Sequence, residues 1–264
     1  MTAKSFLTSD GARIAYEDEG AGRPVVLVHG LGNTRAHWAF QRPALLDAGY
    51  RVVTIDLRFH GASDATTNGK RISRLGLDLL ELIDAEQLTD IAAVGHSMGV
   101  SVILAAVSAG GIRSIGKAVL IDQSARIMND DGWSLGVFGV TWDRLEAQLS
   151  GRQAWGDWQR EPAAPEHLRA LMAAHPFADL FSGPHAALVA DHFVADWRDE
   201  VPRLVVPTLV ATGATSPVYP LEAMEWLAAT LPQGSLRVYE HSGHTPHLNT
   251  PTEFNHDLLE FLQA

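Results

Sequence analysis

IAAVGHSMGVSVILAAVSAG, residues 91–110, decides the fold. It opens on an apolar run, Ile91 to Val94, of the kind shown by a strand buried on both faces. Gly95-His96-Ser97-Met98-Gly99 then turns the chain. From Met98 onward the residues are apolar on nearly every side, as in a helix buried in the middle of a fold. G-x-S-x-G is common by chance as five letters; between a strand and a helix it is specific. Such a turn is so tight that a side chain at 95 or 99 would clash. It holds Ser97 in a strained backbone geometry with its hydroxyl exposed. The Met98 amide points out of the helix N-terminus, where developing negative charge is favoured. Ser97 is the candidate nucleophile and the Met98 amide a candidate oxyanion donor.

Outward from this stretch, strand and helix patterns alternate. Asp10-Gly11 is a hairpin turn between strand-like residues 5–8 and 12–18. VVLVH (25–29) is a buried strand, followed by a Gly-rich turn and a helix over 34–47. VVTID (52–56) is the next strand, and 73–87 carries Leu and Ile at helical spacing. KAVLID (117–122) is a further strand. Between about 125 and 200 strand signals vanish, and short helical pieces separated by Gly and Pro take over. Five of the seven Trp (133, 142, 155, 158, 197) and four of the nine Phe (138, 177, 181, 193) lie there. The alternation resumes with a strand over 205–212, a helix over 220–231, a strand over 235–241 and a helix over 252–263. This pattern predicts an α/β fold: a mostly parallel sheet with helices on both faces. Residues 1–124 and 201–264 form its core, and 125–200 an inserted helical cap. Ligands of such sheets bind at the carboxyl ends of the strands. Most cap aromatics are expected to pack on one another; Trp133, Phe138, Trp155 and Trp158 are candidates to face a substrate.

Composition narrows the function. The chain has 264 residues, 46% hydrophobic and 19% charged, with a formal net charge of −11 and no cysteine. That excludes disulfide scaffolds, thiolate metal sites and Cys nucleophiles. The acidic balance argues against nucleic-acid binding. No 18-residue apolar run suggests a membrane span, and the first twenty residues lack a signal-peptide core. A soluble, cytoplasmic protein acting on a small molecule is expected. Nothing marks an oligomeric state.

Other strand ends supply further groups. His29-Gly30-Leu31-Gly32 follows one strand; its glycines let the chain fold back beside the Ser97 turn, so that the Leu31 amide can join that of Met98. His29 reads as a structural hydrogen-bonding residue. After the last strand comes Ser242-Gly243-His244-Thr245-Pro246-His247. His244, on a loop with Gly before it, is the candidate general base. His241 reads as part of the strand and His247 as part of the next element. A metal site over His241, His244 and His247 is disfavoured, because Gly243 and Pro246 forbid the helix that would align the rings.

GHSMG around Ser97, the HGLG loop and GHTPHLNTP together resemble the α/β-hydrolase superfamily, and the resemblance spans the chain outside the cap. DLRFHGASD (56–64) is similar to that family's D-x-R-G-x-G-x-S turn, with Phe59 in place of the first Gly; Asp56 and Arg58 read as structural. Val100 and Asn249 are minor departures. The resemblance implies an eight-stranded sheet, Ser97 as nucleophile, His244 as base and then acid, and Leu31 and Met98 as the oxyanion hole. It also places the triad acid in G-x-x-D-x-x-x-P after the strand PTLVATG, yet this chain has Ser216 there and nothing acidic between Glu200 and Glu222. The imidazole still needs a buried anion. Asp122 ends the strand next to that of the nucleophile. Some haloalkane dehalogenases, certain lactone hydrolases and cofactor-free ring-cleaving dioxygenases carry their acid at this place. Asp122 is therefore assigned as the third member.

The leading expectation is a serine hydrolase, an esterase or lactonase acting on an apolar or aromatic small molecule without cofactor or metal. A serine at the nucleophile position speaks against dehalogenase and epoxide hydrolase chemistry. The triad alone leaves open cofactor-free ring-cleaving dioxygenation, with His244 and Asp122 deprotonating the substrate. A ligand receptor without turnover is a third reading. A prolyl-type peptidase would need acidic cap residues at the substrate's amino end, for which Asp130, Asp131 and Asp157 are the candidates. Haloperoxidation would be a side reaction of the same triad.

Overall fold

The computed structural model describes residues 3–179 and 183–264; Phe181 lies outside them. Its sheet has eight strands: β1 (Ala3–Leu7), β2 (Arg13–Glu19), β3 (Pro24–Val28), β4 (Arg51–Ile55), β5 (Ile91–His96), β6 (Ile115–Ile121), β7 (Thr208–Gly213) and β8 (Gly234–Tyr239). They lie in the order β1-β2-β4-β3-β5-β6-β7-β8. The β1–β2 hairpin and the β2–β4 pair are antiparallel, and every other pair is parallel. This is the mostly parallel α/β sheet that the alternation predicts.

Alternate residues of each central strand serve two cores, because successive side chains leave a strand on opposite faces. Val26, Val28, Ala93, Leu120 and Val210 pack on one side, with α2 (Ile72–Ala85) and α3 (Met98–Ser108). Val25, Leu27, Val94, Ile121 and Ala211 pack on the other, with Leu45 of α1 (Gln41–Asp47). β5 is buried along its whole length, which is why it reads as an unbroken apolar run.

The stretch 34–47 is less regular than its pattern suggests. A 3₁₀ turn, Arg35–Trp38, capped by Thr34, precedes α1. β7 begins at Thr208 rather than 205, since Pro207 just before it has no N–H for a ladder. β8 ends at Tyr239, so His241 lies beyond the strand, exposed, in a turn.

Between β6 and β7 lie α4 (Leu145–Leu149), α5 (Glu166–Ala174) and α6 (Gly183–Val194). Among the described residues this segment contains isolated bridges but no strand. The chain then closes with α7 (Leu221–Thr230), α8 (Pro246–Asn249) and α9 (Pro251–Gln263). Among the described residues, no helix is long and apolar enough to cross a membrane.

The turn after β4 anchors the frame. Asp56 accepts the amides of Arg35 (2.8 Å) and Ala62 (2.9 Å). Arg58, fully buried, donates to both oxygens of Asp78 (2.8 and 2.7 Å) and to Asp10 (2.8 and 3.0 Å). Phe59 has φ +72°, in the left-handed region that the usual Gly would occupy freely. Burial of its ring offsets the strain. Arg58→Met should lower unfolding stability by about 3 kcal/mol, because Asp78 stays buried with only Arg74 as a cationic partner. Urea unfolding followed by circular dichroism reads this; a loss below about 0.5 kcal/mol would show that Arg58 does not hold the turn.

Candidate active site

Three strand ends converge. β5 passes into α3 through Ser97, whose φ of 52° and ψ of −125° put it in a region rarely populated by side-chain-bearing residues. Neighbours hold it there: the Ser97 amide donates to Ile121 O (2.9 Å), and Ser97 O accepts from Val100 N (2.8 Å). A Cβ at Gly99 would lie 2.2 Å from Val28 O, and one at Gly95 would lie 2.8 Å from the Gly99 carbonyl. Strand β3 and the helix start therefore pass too closely for any side chain there. A Cβ at Gly30 would meet the Ser97 Cβ at 3.1 Å, so the 29–32 loop lies directly against the serine turn. Leu31 follows on this loop, and Met98 opens α3, where the first amides have no partner within the helix.

Asp122 follows β6, is 0% exposed and has φ +45°. Its amide donates to Ala211 O (2.8 Å), extending the β6–β7 ladder by one residue. The carboxylate accepts the Thr212 hydroxyl at Oδ1, and the Ser216 hydroxyl at Oδ2 (2.7 Å). His244 Nδ1 lies 2.5 Å from the same Oδ2. Ser216, at the position where an acid was expected, is thus a donor to the acid that stands at 122.

His244 lies on the loop between β8 and α8. His96 Nε2 donates to its carbonyl (3.0 Å), and its own N–H donates to Glu161 Oε2 (3.0 Å). Burial pushes the Glu161 carboxyl up from the usual range. With Nδ1 on Asp122, His244 has Nε2 left for the cavity side. His247 is buried in α8 between Trp38, His96 and Phe254.

Ser97 and His244 both line a cavity of about 290 Å³. Leu31, Ile127, Val137 and Val218 give it an apolar wall, and Trp155, Trp158, Phe177 and Phe193 an aromatic one. Trp158 and Phe177 are half exposed and form its rim. Trp155 and Trp158 thus lie where the sequence pattern suggested; Trp133 and Phe138 do not. Trp133 packs edge-on against Trp226 of α7, under the Arg198 guanidinium, with its indole N–H on Arg126 O. Phe138 lies beneath Arg160, its main chain tied to Val218 and Gly156. Asp130, Asp131 and Asp157 do not line the cavity; Asp130 is paired with Arg126. Glu161, Thr212, Phe193 and Tyr219, which also lines the cavity, carry no local sequence signal for the places they take.

Several histidines are buried as neutral rings. His29 Nδ1 contacts Gly30 O (2.7 Å) and its Nε2 accepts Leu57 N–H (3.0 Å); burial holds it at about 3. Burial lowers His37 to about 4 and His192, a cavity-lining residue of α6, to about 3. His60, His96 and His247 are pushed well below the usual imidazole range for the same reason. Among the described residues, one group brings three possible metal ligands together: His256, Asp257 and Glu260 on α9. It lies outside the cavity, and Asp257 is paired with Arg237.

A serine on a tight strand-to-helix turn, a strand-end carboxylate and a histidine loop on a mostly parallel eight-stranded sheet define a class, and comparison with known proteins gives the same one. A model of the Alpha/beta hydrolase family matches residues 25–257. Non-heme chloroperoxidase CPO-A1 of Kitasatospora aureofaciens is 31% identical over 271 residues, covering 97% of this chain and 98% of its own. 3-Oxoadipate enol-lactonase 1 of Acinetobacter baylyi is 27% identical over 237 residues, 87% of this chain and 85% of its own. An esterase from Exiguobacterium antarcticum superimposes with a TM-score of 0.86 at 25% identity, over 100% of both chains. The chain belongs to the alpha/beta hydrolase family.

The buried neutral histidines make folding stability fall on acidification. Below about pH 6.5 the unfolded chain takes up protons that the native chain refuses until far lower pH. Replacing His192, held at about 3, by Phe should flatten the slope of stability against pH between 6 and 4 by about 1.4 kcal/mol per pH unit. Urea unfolding at pH 6, 5 and 4 measures it; an unchanged slope would mean that this ring is protonated in the native state.

Proposed function

We propose that the protein hydrolyses a carboxylic ester or lactone of a small apolar or aromatic molecule through an acyl-enzyme on Ser97. One observation carries this: a fully buried carboxylate engages His244 Nδ1 in the wall of the cavity that also contains Ser97. The carboxylate fixes the ring's tautomer and stabilises the imidazolium. His244 takes the Ser97 proton as the hydroxyl oxygen attacks the substrate carbonyl. Negative charge then moves to the carbonyl oxygen, for which the Leu31 and Met98 amides are the donors. Collapse breaks the C–O bond, and His244 passes its proton to the departing alkoxide. Water, deprotonated by His244, attacks the acyl ester and releases the acid and free Ser97. A serine nucleophile suits carbonyl substrates, which can form an oxyanion in this way.

Residues 125–200 act as the cap in this reading. Trp155 and Trp158 are the aromatic surfaces offered to the substrate. A volume of about 290 Å³ favours a small one. Relatives named as an esterase and an enol-lactonase support the ester or lactone class.

A fluorophosphonate probe with mass mapping should label Ser97, and Ser97→Ala or His244→Ala should abolish labelling. Asp122→Asn should lower turnover of p-nitrophenyl esters by about 10⁴. Near-wild-type turnover in that variant would remove Asp122 from the machinery.

A further inference from the structure

His244 is held at three points. Asp122 takes its ring, His96 its carbonyl, and Glu161 its amide. The first two partners belong to strand ends of the sheet. The third comes from the segment between β6 and β7, some forty residues along the chain from either strand.

The contact is built rather than incidental. Gly243 precedes His244, and its φ is not in the left-handed region, so backbone conformation does not demand glycine there. The carboxylate of Glu161 occupies the space a side chain would take: a Cβ at 243 would lie 2.0 Å from Oε2, 2.5 Å from Cδ and 2.8 Å from Oε1, so a residue larger than Gly there would displace the carboxylate from the His244 amide. The same short segment grips the neighbouring loop. Asp157 N donates to Pro217 O (2.6 Å) and Arg160 Nε to Ser216 O (3.1 Å). Ser216 in turn donates to Asp122. Residues 157–161 thus clasp both the loop that supports the acid and the loop that carries the base.

We propose that Glu161 is a positioning residue for His244, and that seating of the 157–161 clasp is a condition for the base to be aligned. This rests on the serine hydrolase reading above. Fixing the amide and the carbonyl of one residue fixes the peptide planes on either side of it, and with them the direction of the side chain. The segment that walls the substrate cavity therefore also sets the catalytic imidazole. A substrate that disturbs the seating of Trp158, three residues before Glu161, is transformed slowly even when it binds.

The test compares Glu161→Ala, Glu161→Gln and Gly243→Ala in the full chain. The readouts are the rate of Ser97 labelling by a fluorophosphonate and kcat and KM for p-nitrophenyl acetate. Glu161→Ala should lower both the labelling rate and kcat by about tenfold or more, with KM within about twofold. Glu161→Gln keeps a carbonyl oxygen for the His244 amide and should retain most of the rate. Gly243→Ala should match Glu161→Ala in the wild-type background and add little to it in the double variant. It probes the contact from the opposite side should Glu161→Ala fold poorly. Labelling of Glu161→Ala at the wild-type rate, or equal losses in the Gln and Ala variants, would overturn the positioning role while leaving the hydrolase reading intact. A wild-type protein that is not labelled at all would overturn both.

Discussion

Everything at this site depends on a carboxylate that is wholly withdrawn from water. An isolated buried charge is strongly unfavourable. Asp122 is tolerable because three donors meet it: the hydroxyls of Thr212 and Ser216 and the ring of His244. They come from β7, from the loop after it and from the loop after β8. Their meeting requires the β6–β7 register, in which Ile121 opposes Ala211 and Asp122 continues the ladder. A one-residue slip would turn every side chain of the strand to the opposite face. The parallel sheet and this cluster of hydrogen bonds thus depend on each other.

An acid at 122 with a serine at 216 has a simple geometric basis. The ends of β6 and β7 are adjacent, so a carboxylate on either can reach one oxygen-sized spot beside the same imidazole. With the acid on β6, the β7 loop needs only a small donor to fill the remaining coordination of Oδ2. Ser216 is that donor, and its hydroxyl also lies near the amides of Val218 and Tyr219. Backbone strain at Asp122 and Ser97, both with positive φ, accompanies this convergence. Strained residues persist where the surroundings over-determine them.

The segment between β6 and β7 contributes in two ways. Its aromatic side chains wall the cavity, and its 157–161 stretch is hydrogen-bonded to the loops that hold Ser216 and His244. A region that looks like an appended cover is thus tied to those loops. The buried neutral histidines 29, 37 and 60 serve the frame instead, packing beneath the loops that border the cavity.

The α/β fold, the elbow around Ser97, the loop carrying Leu31 and the candidacy of His244 and Asp122 were legible in the chain itself. All but Asp122 rest on a local rule: an apolar run that reads as a strand, glycines at a tight turn, a polar group just past a strand end. Asp122 is singled out by the resemblance to α/β-hydrolase branches that carry their acid after this strand. Local rules do not sort side chains that meet across distance. Trp133 and Trp155 look alike in sequence, yet one packs on Trp226 of α7 and the other faces the cavity. Glu161 is an ordinary acidic residue until folding sets it against Gly243, and Ser216 is a missing acid until Asp122 arrives beside it. Those assignments belong to the tertiary structure, because they depend on which backbones approach each other closely enough to exclude water and share a hydrogen bond.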